Sequence, residues 1–355
     1  MKEIILHNAM VVLPEGIIKG TVVLEGAYIK HIDDTSVSDN AGIDLEGDLL
    51  MPGLIEMHTD NLEKYIVPRP GIYWPSSLAS LIAHDNQVFS SGITTVLDSI
   101  ALGFSDDQGV RKNILDRSID SIKFANENKL LKADHFIHLR CELPSSTVYD
   151  SFCRYAEDSN LKLVSVMDHT PGQRQWSDLA KWRTFHKDKR WTDEDAQAVI
   201  DERQRLKDGY ATDNRRNIVR DCTEMGIPTA SHDDTLPEHC READDEGITI
   251  SEFPTTMEAA RTAKELGMST IMGAPNMVRG ESHSGNISAE KLAEKHLLDG
   301  FSSDFMPISL LHAAFELNRR LDIELHSALA TVTSNIAKMV NLPDRGVIEP
   351  GKRAD

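Results

Sequence analysis

Short apolar runs alternate with turn residues through the first fifty positions. Runs at 3–6, 9–13, 20–25 and 28–32 are broken by Pro14-Glu15-Gly16 and Asp33-Asp34. Runs of this length between turn formers predict strands, and their close spacing predicts a small β-sandwich or meander. After Pro52 the pattern changes. Eight strand-like runs follow, at 53–59, 93–99, 134–142, 161–168, 227–231, 247–252, 268–273 and 298–303. Between most of them lie helical patterns, at 76–91, 109–126, 257–266 and 288–295. Eight strand-then-helix units over about 290 residues predict an α/β chain folded as a (β/α)8 TIM barrel. A doubly wound sheet is the alternative, but no GxGxxG follows an early strand.

The tail, 346–355, returns to β character and reads as the start of a strand pair. The expected organisation is a small β-sandwich domain from 1–52 and 344–355, with the barrel at 53–343. The tail stops abruptly, so the native chain is expected to continue past Asp355. An interrupted pair leaves an unpaired edge, which a homodimer would cover. Residues 170–225 form the longest insertion, with helices expected at 177–187, 193–207 and 212–225. It reads either as a solvated peripheral segment or as a lid over the barrel mouth.

Composition narrows the partners. Hydrophobic content of 40% and charged content of 27% suit a soluble globular protein. The formal charge of −19 argues against nucleic acid or an anionic membrane as the main partner. The N-terminal apolar run is too short for a signal peptide, and no stretch approaches the roughly 18 residues of a membrane span. Cys141, Cys153, Cys222 and Cys240 show no CxxC spacing. A reduced, cytoplasmic location is the default expectation.

The chemistry lies where the apolar runs end. Side chains two apart on a strand share a face, so His58 and Asp60 can reach one point. An imidazole and a carboxylate suit Zn²⁺, Mn²⁺ or Fe²⁺. A single HxD is weak, because a His near a strand end is commonly just hydrogen-bonded. The other runs repeat the theme with Glu142, His169, His232 and Asp304 at or near their ends. In a barrel these ends converge. The expected metal ligands are therefore His58, Asp60, Glu142, His169, His232 and Asp304. Glu142 has two oxygens and could bridge two cations ~3.5–4 Å apart. Asp304 could also take a proton from metal-bound water, whose pKa a divalent cation lowers to about 7. One or two Zn²⁺ ions are expected, with Mn or Fe as alternatives.

Longer stretches carry a resemblance. The β-rich termini, Pro52-Gly53-Leu54-Ile55 leading to His58, Gly92-Ile93-Thr94-Thr95-Val96, Asp304 and Pro350-Gly351 with Ala354-Asp355 resemble the amidohydrolase superfamily over essentially the whole chain. More narrowly, segments 58–64, 139–142, 167–175, 231–235, 252–256 and 273–280 are similar to its phosphonate-metabolism family, which acts in the carbon–phosphorus lyase pathway. That resemblance implies hydrolysis of α-D-ribose 1-methylphosphonate 5-triphosphate to the 5-phosphate and pyrophosphate. Most of the superfamily opens with HxH, where this chain has HxD. No strand-end Lys is available for carboxylation, which favours Glu142 as the bridge. The superfamily usually draws its later histidines from strands five and six, whereas the run count here gives four and five. Either a strand escapes the pattern or Glu252, on run six, substitutes as a ligand.

A triphosphate carries about four negative charges near neutral pH, so an acidic chain must place cations at its site. Lys64, Arg69, Arg140, Arg174 and Arg279 flank the ligand motifs, and Asn276 opens the glycine-containing loop 276–285. Arg is suited to bidentate phosphate contacts. The expected mechanism is in-line attack by metal-bound hydroxide, with Asp304 as base and His283 or a water as acid. The basic cluster at 181–190 reads as a solvated helix face or as a closure over the phosphates. Three other readings stand: a metal-dependent cyclic amidase or deaminase, a non-catalytic barrel subunit of a multiprotein complex, and a nucleotide pyrophosphatase with broad triphosphate tolerance.

Overall fold

A computed structural model describes residues 3–34, 42–69, 71–103, 110–282 and 285–355. The first strands are β1 (Glu3–Leu13), β2 (Gly16–Glu25), β3 (Tyr28–Asp33), β4 (Ile43–Asp44) and β5 (Leu49–Leu50). β1, β2 and β3 form an antiparallel meander, and β4 and β5 add in parallel to the other edge of β1. This is one five-stranded sheet, so the meander half of the expectation is the one realised. The tail joins it: Ile29 N–H donates to Lys352 O at 2.9 Å, and Gly351 N–H to Ile29 O at 2.8 Å. Arg345 and Arg353 both reach Asp134 Oδ2, at 2.7 and 2.5 Å, and pin the tail to the start of the barrel strand Asp134–Glu142. We propose from these contacts that 1–52 and 344–355 fold as one unit against the 53–343 barrel.

The barrel strands are β6 (Leu54–Thr59), β7 (Ile93–Leu102), β8 (Asp134–Glu142), β9 (Leu161–Met167), β10 (Thr229–His232), β11 (Ile250–Glu252), β12 (Ser269–Gly273) and β13 (Gly300–Ser302). Each overlaps one of the eight runs, and each pairs in parallel with its neighbours in chain order. β6, β10, β11 and β13 are buried along their whole length. Burial on both faces explains why their sequences read as runs of apolar or small residues rather than alternations. The ring is drawn together where Asp304 N–H donates to His58 O at 3.1 Å and Asp60 N–H donates to Asp304 O at 3.2 Å. Barrel closure thus sets His58, Asp60 and Asp304 side by side.

Ile55, Met57, Leu97, Leu163, Ala230, Ile250 and Ile271 fill the interior, capped from below by Ile336 and Val340. At Gly300 a Cβ would lie 2.6 Å from Ile336 Cδ1 and 3.1 Å from Thr331 O. The glycine therefore lets the bottom helix, Ser334–Met339, close on β13.

Between β9 and β10 the insertion forms helices Leu179–Phe185, Asp193–Leu206 and Thr212–Met225, near the expected positions. Its first two helices bury Trp176, Trp182 and Ala196 in a core of their own. Among the described residues no helix is long and apolar enough to cross a membrane.

Candidate active site

Three barrel strands end by changing backbone hand. Asp233 (φ 55°), Phe253 (φ 58°) and Asp304 (φ 56°) follow β10, β11 and β13 in the left-handed region, which non-glycine residues seldom occupy. Such strain persists where the surroundings over-determine it, and it clusters at functional sites. Here it turns Asp233 and Asp304 out of strand alternation and into the barrel mouth.

Below the mouth, one carboxylate holds two rings. Glu252 Oε1 lies 2.6 Å from His58 Nδ1, and Oε2 lies 2.7 Å from His232 Nδ1. The two imidazoles stack at 5.8 Å with 16° between their planes. Ser165 Oγ donates to Glu252 Oε2 at 2.9 Å, and His138 Nε2 lies 2.6 Å from that hydroxyl. Burial favours a neutral Glu252, but charge and hydrogen bonds from His58 and His232 outweigh it and hold the carboxyl well below its ordinary range. Burial pushes His138 down to about 3, so this ring is neutral. With each Nδ1 donating to Glu252, the Nε2 lone pairs of His58 and His232 are free to meet a cation, the usual arrangement behind a metal-bound histidine.

Glu142 plays the same part for His169. Its Oε2 is 2.6 Å from His169 Nδ1, and its Oε1 accepts from His169 N–H at 2.9 Å. Burial raises the Glu142 carboxyl, and His169 more than reverses this. For His169, burial opposes the charged ring, yet Glu142 and Asp233 together raise it to about 9. Sequence reasoning expects Glu142 to bridge two cations, but both its oxygens hold His169 and it lies outside the cavity lining. Arg140, two before it on β8, does line the cavity, while Glu142 stands one layer back, behind His169.

The cavity above has a volume of about 330 Å³ and is lined by His58, Asp60, His169, His232 and Asp304, five of the six expected ligands. Asp233 joins them. Its Oδ2 is 3.4 Å from His232 Nε2 and 3.7 Å from His169 Nε2, and it accepts no hydrogen bond although buried. Sequence reasoning missed Asp233 because a neighbour of His232 on a regular strand faces the opposite way. His169 and His232 follow the fourth and fifth barrel strands, as counted, and among the described residues the barrel sheet holds only the eight expected strands.

The expected phosphate contacts fare unevenly. Arg140 lines the cavity with a buried Nε that makes no hydrogen bond. Asn276 lines it too, held by Ile287 O and Ala289 N–H. Lys64 sits at the rim, 3.4 Å from Asp60 Oδ1 and 5.5 Å above the Phe305 ring centre. Arg174 is buried elsewhere: its Nη1 donates to Asp234 Oδ1 at 2.8 Å and to His232 O at 2.9 Å, anchoring the insertion to β10. Arg69 and Arg279 are outside the lining, Arg279 facing Glu281 at 3.9 Å. His283 lies outside the described residues. From the insertion, Phe185 and Gln175 line part of the cavity wall.

No family model matches the chain. The chain is 41% identical over 354 residues to the alpha-D-ribose 1-methylphosphonate 5-triphosphate diphosphatase of Escherichia coli (strain K12), covering 99% of this chain and 93% of that protein. Among solved structures it is similar to a Xaa-Pro dipeptidase with bound methionine (TM-score 0.65, 15% identity, covering 100% of this chain and 93% of that one). An amidohydrolase aligns with a TM-score of 0.56 at 15% identity, covering 100% of this chain and 91% of that one. At such identities these two structures establish the fold.

Proposed function

Because the chain belongs to the α-D-ribose 1-methylphosphonate 5-triphosphate diphosphatase family, within the amidohydrolase superfamily, we propose that it is a metal-dependent hydrolase releasing pyrophosphate from that ribose triphosphate. The observation that carries this reading is one cavity lined by His58, His169 and His232, with two of the rings locked on their Nδ1 side by Glu252 and the third by Glu142. Three imidazoles each backed by a carboxylate, with acidic side chains in the same cavity, form a donor set suited to hold a cation.

Charge supports the same reading. Asp60, Asp233 and Asp304 line the cavity against Arg140, the one Lys or Arg among its described lining residues. A group with about four negative charges would be repelled from such a site unless divalent cations offset the carboxylates. When bound, a divalent cation supplies Lewis-acid charge and makes water a better nucleophile at neutral pH.

The chain's own residues then have distinct tasks. Asp304 is fixed by its backbone bonds to His58 and Asp60, and it takes the proton of the attacking water. Arg140 turns an unsatisfied guanidinium N–H toward the phosphates and stabilises charge on the departing pyrophosphate. Phe185 and Gln175 of the insertion narrow the mouth against bulk water.

The test is pyrophosphate release from the ribose triphosphate by metal-loaded protein, with ammonia release from cyclic amides and amines run in parallel. Asp304→Asn is expected to lower kcat by about 10³-fold, the middle of the range for loss of a general base. Ammonia without pyrophosphate would instead make the enzyme an amidase or deaminase.

A further inference from the structure

We propose that Asp233 is a metal ligand, and that it, rather than Glu142, is the carboxylate meeting a cation held by His169 and His232. This rests on the metal-dependent reading above.

Distances separate the two carboxylates. Ligands of one tetrahedral ion with bonds of ~2.0–2.1 Å stand about 3.3–3.4 Å from each other. Asp233 Oδ2 is 3.4 Å from His232 Nε2 and 3.7 Å from His169 Nε2, close to that edge length. Glu142 Oε2 is 2.6 Å from His169 Nδ1, a charge-assisted hydrogen bond and too short for two ligands of one ion. The three atoms of His169, His232 and Asp233 all lie within 4.8 Å of one another.

Ring chemistry points the same way. Glu142 takes the Nδ1 side of His169 and Glu252 that of His232. With a cation bound, each ring would carry its proton behind and turn its lone pair forward, toward Asp233, the cation taking the place of the proton that otherwise charges His169. The Asp233 oxygen they face is buried and accepts no hydrogen bond. An ionised oxygen left so would be costly, and a cation between it and the two rings removes that cost. The left-handed backbone at Asp233, φ 55°, is what brings neighbours His232 and Asp233 to the same side. Glu142 becomes a positioning residue: it orients His169 and sets its tautomer.

The experiment measures bound metal as well as turnover. Wild type, Asp233→Asn, Glu142→Gln and His169→Asn are stripped, reloaded with Zn²⁺ and assayed for equivalents per chain by elemental analysis. Affinity is read by competition with a chromophoric chelator. Asp233→Asn is expected to lose the same equivalent as His169→Asn, or to bind it at least about 100-fold more weakly. Glu142→Gln is expected to keep the stoichiometry with affinity down by about 10–100-fold, as for an outer-shell partner. Melting of the metal-free forms separates a ligand effect from misfolding, and Asp233→Glu, which retains a carboxylate, should recover part of the affinity. Full stoichiometry and affinity in Asp233→Asn, with an ion lost in Glu142→Gln, would overturn this assignment alone. A folded wild type that binds no metal would overturn the functional reading with it.

Discussion

At the scale of single residues, Glu252 does the most with the least. Its two oxygens each hold the Nδ1 of a different histidine, His58 from β6 and His232 from β10. Replacing Glu252 by Gln turns one acceptor into an N–H donor, which must then face a ring N–H or force that ring to change tautomer. A changed tautomer puts a proton on Nε2, where the lone pair is needed. The expected result for Glu252→Gln is metal affinity lower by about 10–100-fold, read by chelator competition. Unchanged affinity would mean that the rings are set by something other than Glu252. Residue-level reasoning from sequence finds His58, Asp60, His169, His232 and Asp304 because each sits where an apolar run breaks. It cannot find Asp233, since only the observed backbone, not the residue type, says that strand alternation ends one residue early. It overrates Arg174 for a related reason: nothing in the sequence shows that Asp234 already holds it.

At the scale of elements, helix Ser77–Ser90 is tied to the outside of β7 and β8 by a buried polar chain. His84 Nε2 meets Asp98 Oδ1 at 2.8 Å, Asp98 Oδ2 meets His135 Nδ1 at 2.7 Å, and His135 Nε2 meets Asp85 Oδ1 at 3.3 Å. Burial opposes both charges, yet His135 and His84 bring Asp98 down to about 2, and Asp98 and Asp85 bring His135 up to about 9. The His135 contribution is complete below its unfolded pKa of ~6.5 and is lost as pH rises through 9. The Asp98 contribution is complete above its unfolded pKa of ~3.9 and is lost as pH falls through 2. Both therefore operate between roughly pH 4 and 6.5. The His135 shift corresponds to about 3 kcal/mol at ~1.4 kcal/mol per pKa unit. His135→Asn should lower the melting temperature most at pH 5–6, with the gap to wild type narrowing toward pH 9. A gap independent of pH over that range would mean that His135 packs as a neutral ring. The eight strands were readable from sequence because burial on both faces leaves a bare apolar signature. This outward cluster was not, because which helix covers β7 and β8 is a matter of packing rather than of period. The two-residue strands β4 and β5 likewise carry no pattern long enough to register.

At the scale of the whole molecule, the formal charge of −19 acts on any anionic substrate before the site does. Metal ions bound as proposed would reverse the field only locally, within a screening length of about 10 Å at 0.1 M salt. Beyond that distance a triphosphate approaches an acidic surface, so the long-range term opposes encounter instead of steering it. Added salt weakens the repulsion felt over long paths more than contacts made inside a partly buried cavity. At saturating metal, kcat/KM for the triphosphate should therefore rise as KCl increases from about 0.02 to 0.2 M, by a factor of about three at most, before contacts to Arg140 are screened in turn. Enzymes that attract charged substrates show the opposite slope. A steady fall in kcat/KM across this range would mean that the local cations, with Lys64 at the rim, govern approach despite the acidic whole, and Lys64→Ala would then flatten the dependence.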